Sequence, residues 1–150
     1  MITIDEYWNT FLKETGRNIE EKCSGDLSFE AKGSLSAQLE SLVLTGAKTA
    51  FFSYLPTFII DNQPLPINGE LYVLLNHSEE PLCIIEITNV EIIPFSEVTW
   101  DMAKLEGEDE NLSSWREKHL DYIEQEADIL GFEPSSDIKV VFQTFKVIYK

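Results

Sequence analysis

The chain has few of the features that most directly announce a function. Its two cysteines, Cys23 and Cys83, lie far apart, with no Cys-x-x-Cys pair and no neighbouring histidines. That excludes a zinc knuckle and a disulfide framework and leaves two ordinary reduced thiols. The histidines lack ligand spacing, and Glu106, Glu108, Asp109 and Glu110 lack the Asp-x-Asp-x-Asp-Gly ladder of a calcium loop. No metal and no cofactor are therefore expected, and the acidic loop reads as solvated. No glycine-rich phosphate loop is present, because Gly46-Ala47-Lys48-Thr49 has neither the upstream glycine nor the strand-to-helix order of one. No run approaches the roughly 20 apolar residues of a membrane span. The start, Met1 to Glu6, has neither a basic n-region nor an apolar h-region, so the expectation is a cytosolic protein away from membranes.

Positive charge is scarcest of all. Eleven Lys and Arg stand against 27 Asp and Glu, a formal net charge of -16. Sequence-independent nucleic-acid binding draws most of its affinity from lysine and arginine neutralising phosphates, so DNA is not an expected partner and long RNA is a poor one. The acid is also uneven: from Asp101 to Asp137 twelve acidic residues face only Lys104, Arg116 and Lys118. That region is a candidate surface for a basic protein partner.

What is present reads as one globular domain. With 150 residues, 43% hydrophobic and 11% aromatic, the chain can bury one good core but not two ordinary ones. Thr3 and Glu6 fit a capping box, and Ile4, Tyr7, Trp8, Phe11 and Leu12 give one apolar face to a helix at about 3–15, ended by Gly16. Residues 17–32 read as a polar surface connection with room for one short turn of helix. A second helix is expected over about 34–45, carried by Leu35, Leu39, Leu42 and Val43, with Gly46 as its left-handed cap. Strand character follows over 50–55, pauses at Pro56 and can resume over 57–60. Asn68-Gly69 turns the chain into a half-buried strand at 70–76, where Leu71, Val73 and Leu75 alternate. Segments 82–88 and 90–93 supply further β-rich sequence, expected as antiparallel neighbours. Two helices come next, near 99–106 before Gly107 and near 111–130 before Gly131. The longer one bears a stripe of Leu112, Trp115, His119 and Tyr122 or Ile123. Finally, 138–149 is apolar on both parities and is expected to be covered on both faces. These patterns give an α+β fold, a curled or closed β-barrel of about five or six strands flanked by helices.

The centre of this arrangement is the abrupt corner from Leu44 to Ser53, where a strong helix signal meets a strong strand signal around Lys48. Read locally, Lys48 is either a solvated turn lysine or a functional group aimed from a rigid corner. His119, beside Trp115 on the apolar stripe, reads first as a core histidine with one buried hydrogen bond and second as a catalytic base.

The segment 44–50 followed by Ser53, together with Leu105-Glu106-Gly107-Glu108-Asp109 and then Leu112, Trp115, Arg116 and His119, resembles the longer bacterial members of the ASCH domain family. Pro64-Leu65-Pro66, Gly69 and the run 85–95 follow the same course, so the resemblance covers about 29–149. It implies a PUA-like barrel with a cleft that takes a nucleotide, a nucleoside or short single-stranded RNA. For small members it implies hydrolysis of the amide in N4-acylated cytidines by a lysine, a threonine and a glutamate. In this pattern Lys48 and Glu106 hold the lysine and glutamate places, while Phe51 stands where the threonine is usual. Ser53, two residues beyond Phe51 and therefore on the same strand face, is the nearest substitute. The catalytic candidates are thus Lys48, Glu106 and Ser53. The ligand-binding candidates are Lys48, Thr49, Phe51, Ser53, Glu106 and Arg116, with Phe51 offering a stacking face to a base.

Overall fold

The computed structural model describes residues 2–28, 34–135 and 137–150. Helix α1, Ile4–Thr15, starts at a capping box in which the Thr3 hydroxyl accepts from Glu6 N and the Glu6 carboxylate accepts from Thr3 N. It ends at a left-handed Gly16. A short strand, β1, follows at Gly25–Leu27, inside the stretch expected to be plain surface connection. Three residues carry no periodicity of their own; β1 exists because it pairs in parallel with β3, Leu71–Leu75, which makes the sheet mixed rather than wholly antiparallel. The last part of that expected connection, 29–32, lies outside the described residues.

Helix α2, Ser34–Thr45, leads through the Lys48 corner into β2, Ala50–Tyr54. The chain then forms α3, Leu55–Ile60, where sequence pattern allowed a resumed strand. Pro56 explains the difference, because proline in the first turn of a helix loses no hydrogen bond and its fixed φ is already helical. After β3, the segments 82–88 and 90–93 prove to be one long strand, β4, Pro81–Pro94, with an irregular register between Ile87 and Asn89. The expected helix near 99–106 is a four-residue α4, Trp100–Ala103, continued by a 3₁₀ turn over Lys104–Glu106 to a left-handed Gly107. Helix α5, Leu112–Leu130, is capped by the Asn111 side chain and stopped by Gly131. Strand β5 is Lys139–Tyr149.

The five strands lie in the order β1-β3-β4-β5-β2 and form a half-barrel flanked by the five helices. One apolar cluster draws on every strand: Leu27, Phe51, Leu74, Cys83, Ile85, Ile87 and Phe145 all meet around Val43 and Leu44 of α2. That is the inner face, closed by α2. On the opposite face of the sheet α1 packs Trp8, Phe11 and Leu12 on Leu71, Val73 and Ile84, while α5 packs Trp115 and Ile123 on Phe52, Val140 and Phe142. Both faces of β5 are therefore covered, as its double apolar parity implies. Among the described residues no helix is long and apolar enough to cross a membrane.

Candidate functional site

The corner between α2 and β2 is held by backbone bonds that also fix its neighbour in space. Lys48 N donates to Leu42 O, Thr49 N donates to Leu105 O at 2.8 Å, and Thr49 O accepts from Phe145 N. The second of these ties the 3₁₀ turn carrying Glu106 to the corner. Gly107 completes the apposition: its φ is +73°, and a Cβ there would lie 2.4 Å from Ala47 O. Only glycine fits such an approach without displacing the backbone.

The result is a buried charge cluster. Lys48 is 2% exposed and Glu106 5%, so Lys48 is not the solvated turn residue that its local sequence permits. Lys48 Nζ donates to Ala50 O at 3.0 Å and to Glu108 Oε2 at 2.7 Å, and it lies 3.5 Å from Glu106 Oε2. The other oxygen of Glu106 accepts from Trp115 Nε1 at 2.6 Å and faces His119 Nε2 at 2.8 Å. His119 Nδ1 in turn meets the Tyr54 hydroxyl at 2.6 Å. Since an ionised carboxylate only accepts, Nε2 carries a proton, and in the neutral ring Nδ1 accepts from Tyr54. Burial by itself would push the Glu106 carboxyl up; the His119 hydrogen bond and the Lys48 charge outweigh it and hold the group at about 2. Burial, then the charge of Glu106, pushes the Tyr54 phenol far up. At the rim, Lys118 pairs with Asp109 at 2.6 Å and with Glu108 at 3.5 Å. Burial would lower the Lys118 ammonium, but these carboxylates raise it above the ordinary lysine range.

Beside the cluster, α2 and α5 flank a cleft of about 540 Å³ whose walls include Gln38, Ser41, Leu42, Glu108, Lys118 and Tyr122. A second groove of about 330 Å³, with Thr45, Lys48, Thr49, Lys146 and Lys150 on its walls, lies at the C-terminal end of α2. Among the described residues no group of three or more His, Cys, Asp or Glu side chains is placed to hold a metal ion.

The candidate residues are thus only partly gathered. Lys48 and Glu106 meet. The Thr49 hydroxyl is 3.5 Å from Leu105 O and adjoins the second groove. Phe51 lies in the inner-face cluster, its ring 5.8 Å from that of Phe145, which is a packing position rather than a stacking face open to the cleft. Ser53 is on the same face as Phe51 and accepts from Gln143 Nε2, away from the Glu106 side of β2. Arg116 Nη2 donates to Ser96 O and Val98 O, anchoring the turn before α4. Glu108 and Tyr54 are members that sequence reasoning did not count among the site residues, and His119 makes two buried polar contacts rather than one. Helical spacing between Trp115 and His119 was the available signal, because it stacks their ring nitrogens on one carboxylate.

This geometry can be set beside known proteins. The family model of the ASCH domain matches residues 26–149. The chain belongs to the ASCH domain family. A crystal structure of an ASCH domain from Lactobacillus crispatus JV V101 is 30% identical to this ASCH domain, covering 97% of this chain and 94% of that one, with a TM-score of 0.88. A protein from Enterococcus faecalis V583 is 29% identical, covering 97% and 88%, with a TM-score of 0.85. A mutant ASCH protein from Zymomonas mobilis, at 12% identity and a TM-score of 0.50 over 80% and 66%, shares the fold alone. No curated protein matches the chain.

Proposed function

We propose that this ASCH domain binds a nucleoside-like ligand, free or presented by a short single-stranded RNA, in the cleft between α2 and α5. The observation that carries the reading is the buried Lys48–Glu106 pair, whose lysine is held at 2.7 Å by Glu108 of the cleft wall. Burying an ion pair is a poor way to stabilise a fold, since desolvation offsets most of the attraction, and such clusters gather at functional sites. The cleft volume is within the usual range for small-molecule sites, and the Tyr122 ring, 40% exposed, offers an apolar surface to a base. Three carboxylates, Glu106, Glu108 and Asp109, outnumber Lys48 and Lys118 here, so the base rather than the phosphate end of a nucleotide suits the site. Calorimetric titration with the four ribonucleosides and their monophosphates tests this. Lys48→Ala should abolish binding, and the reading fails if no nucleoside binds the wild type or if Lys48→Ala binds as well as it does.

A second reading, an amidohydrolase acting on N4-acylated cytidines, draws support from the Glu106–His119–Tyr54 chain, which could accept and pass on a proton. Ser53 and Phe51 being on the inner face and Thr49 at the second groove, the attacking group in the cleft would have to be a water. Glu106→Gln separates the readings: turnover of N4-acetylcytidine should fall by about 10²–10⁴-fold in a hydrolase, whereas a binding module should keep much of its affinity.

A further inference from the structure

The two carboxylates on Lys48 are held very differently. Glu106 is buried, and its Oε1 is engaged by Trp115 and His119, so it has no room to leave. Glu108 sits on the cleft wall with its side chain 18% exposed, and it follows the sharp Gly107 turn. Its Oε2 holds Lys48 Nζ at 2.7 Å while its Oε1 is already 3.5 Å from Lys118 Nζ, a second cation on the same wall. Among the described residues Nζ also donates to Ala50 O and lies against Glu106. Among the described residues of the cleft wall it is Glu108 that holds the ammonium, so a ligand oxygen coming from the cleft meets Lys48 by taking the place of Glu108.

We propose that Glu108 is a displaceable cover over Lys48, which turns onto Lys118 when a ligand oxygen replaces it. The inference rests on the reading of the cleft as a ligand site, and it narrows the ligand. Displaced, Glu108 remains an anion at the edge of the site and seeks an N–H donor. A phosphate or carboxylate would add a further anion to Glu106, Glu108 and Asp109. The group that fits both Lys48 and Glu108 is a neutral carbonyl oxygen flanked by an N–H, the cis-amide or ureide edge that a uracil-type base presents.

The cover can be tested without any ligand, by acetylating the folded full chain and following each lysine by mass spectrometry. In the wild type Lys48 should react far more slowly than Lys104, whose side chain is 51% exposed. In Glu108→Ala, Lys48 should react about tenfold faster, the worth of one charge-assisted hydrogen bond, with Lys104 unchanged. Glu106 still pairs with Lys48 in that variant, and a native circular dichroism spectrum verifies the fold; should it not fold, Glu108→Gln should give a rise of at least about threefold. A Lys48 rate within about twofold of the wild type in a folded variant overturns the cover, and because no ligand is involved that failure leaves the cleft reading standing. The ligand edge is tested by titrating the wild type with uridine and 3-methyluridine. The methylated base should bind about tenfold more weakly, having lost its donor to Glu108. Equal affinities, or no binding of uridine, overturn the edge assignment.

Discussion

Glu106→Gln keeps the shape of the side chain and removes its charge, which makes it the cleanest probe of the buried cluster. Gln Oε1 could still accept from Trp115 Nε1 and His119 Nε2, but its amide NH₂ would then face the Lys48 ammonium across the 3.5 Å now spanned by an ion pair. Glu108, 2.7 Å from the same ammonium, keeps Lys48 from being stranded altogether. The loss therefore falls at the lower end of the range for breaking a buried pair, about 3 kcal/mol. Urea denaturation at pH 7 measures it, provided the slope with denaturant is unchanged. The companion variant is Lys48→Met, alone and combined with Glu106→Gln. Removing both partners leaves no uncompensated charge between them, so the double variant should be at least as stable as Glu106→Gln, with a coupling energy of about 1–3 kcal/mol. A loss below about 1 kcal/mol for Glu106→Gln, or strictly additive losses, would refute the account of a tightly coupled pair.

The acid limb follows from the same carboxylate. Because Glu106 is held at about 2 against an ordinary 4.5, the unfolded chain binds its proton first as pH falls, so this stabilisation is complete above about pH 4.5 and lost on acidification towards pH 2. At about 1.4 kcal/mol per pKa unit it amounts to roughly 3 kcal/mol. The stability gap between wild type and Glu106→Gln should close over that window; a gap that stays constant down to pH 2 contradicts it. Trp115→Ala should cost about 3–5 kcal/mol in chemical denaturation, since Trp115 is fully buried between Phe52, Phe95 and His119, and a loss under about 1 kcal/mol would place the ring elsewhere. Gly107→Ala combines a left-handed φ with a Cβ 2.4 Å from Ala47 O and should lose more than about 2 kcal/mol; a neutral effect would mean that the corner and the 3₁₀ turn are not so closely apposed. Long mixed RNA should bind weakly at about 150 mM salt, and submicromolar binding in an anisotropy titration would show that the -16 charge does not set the affinity.

The elements readable in the sequence are those whose signal is local. Helices α1, α2 and α5 declare themselves through an apolar period and through caps at Thr3, Gly16, Gly46, Asn111 and Gly131, and the alternation of Leu71, Val73 and Leu75 marks β3. Family resemblance, through Lys48 and the Glu106-Gly107 segment, also named the two residues that the structure brings to 3.5 Å. What escaped had no local signal. Strand β1 is made by its pairing with β3, and the division of 81–94 into two strands was suggested by a polar Thr88-Asn89 step that the sheet spans as an irregularity within β4. Sequence parity separated Phe51 and Ser53 from their neighbours on β2, but not which face looked inward; the curl of the sheet around α2 decided that.

Burial of charge is the clearest case of something only the tertiary structure settles. An isolated lysine in a turn prefers water, and nothing within a few residues of Lys48 says otherwise. It is 2% exposed because Glu106, Glu108 and the Ala50 carbonyl surround its ammonium, while Trp115, His119 and Tyr54 satisfy Glu106 in turn. The sequence determined that a helix ends and a strand begins at Lys48, because caps and periodicity act over one or two turns. Whether that lysine stays in solvent depended on compensating groups that only folding brings within hydrogen-bond distance, and a buried charge is tolerable only once they are all in place.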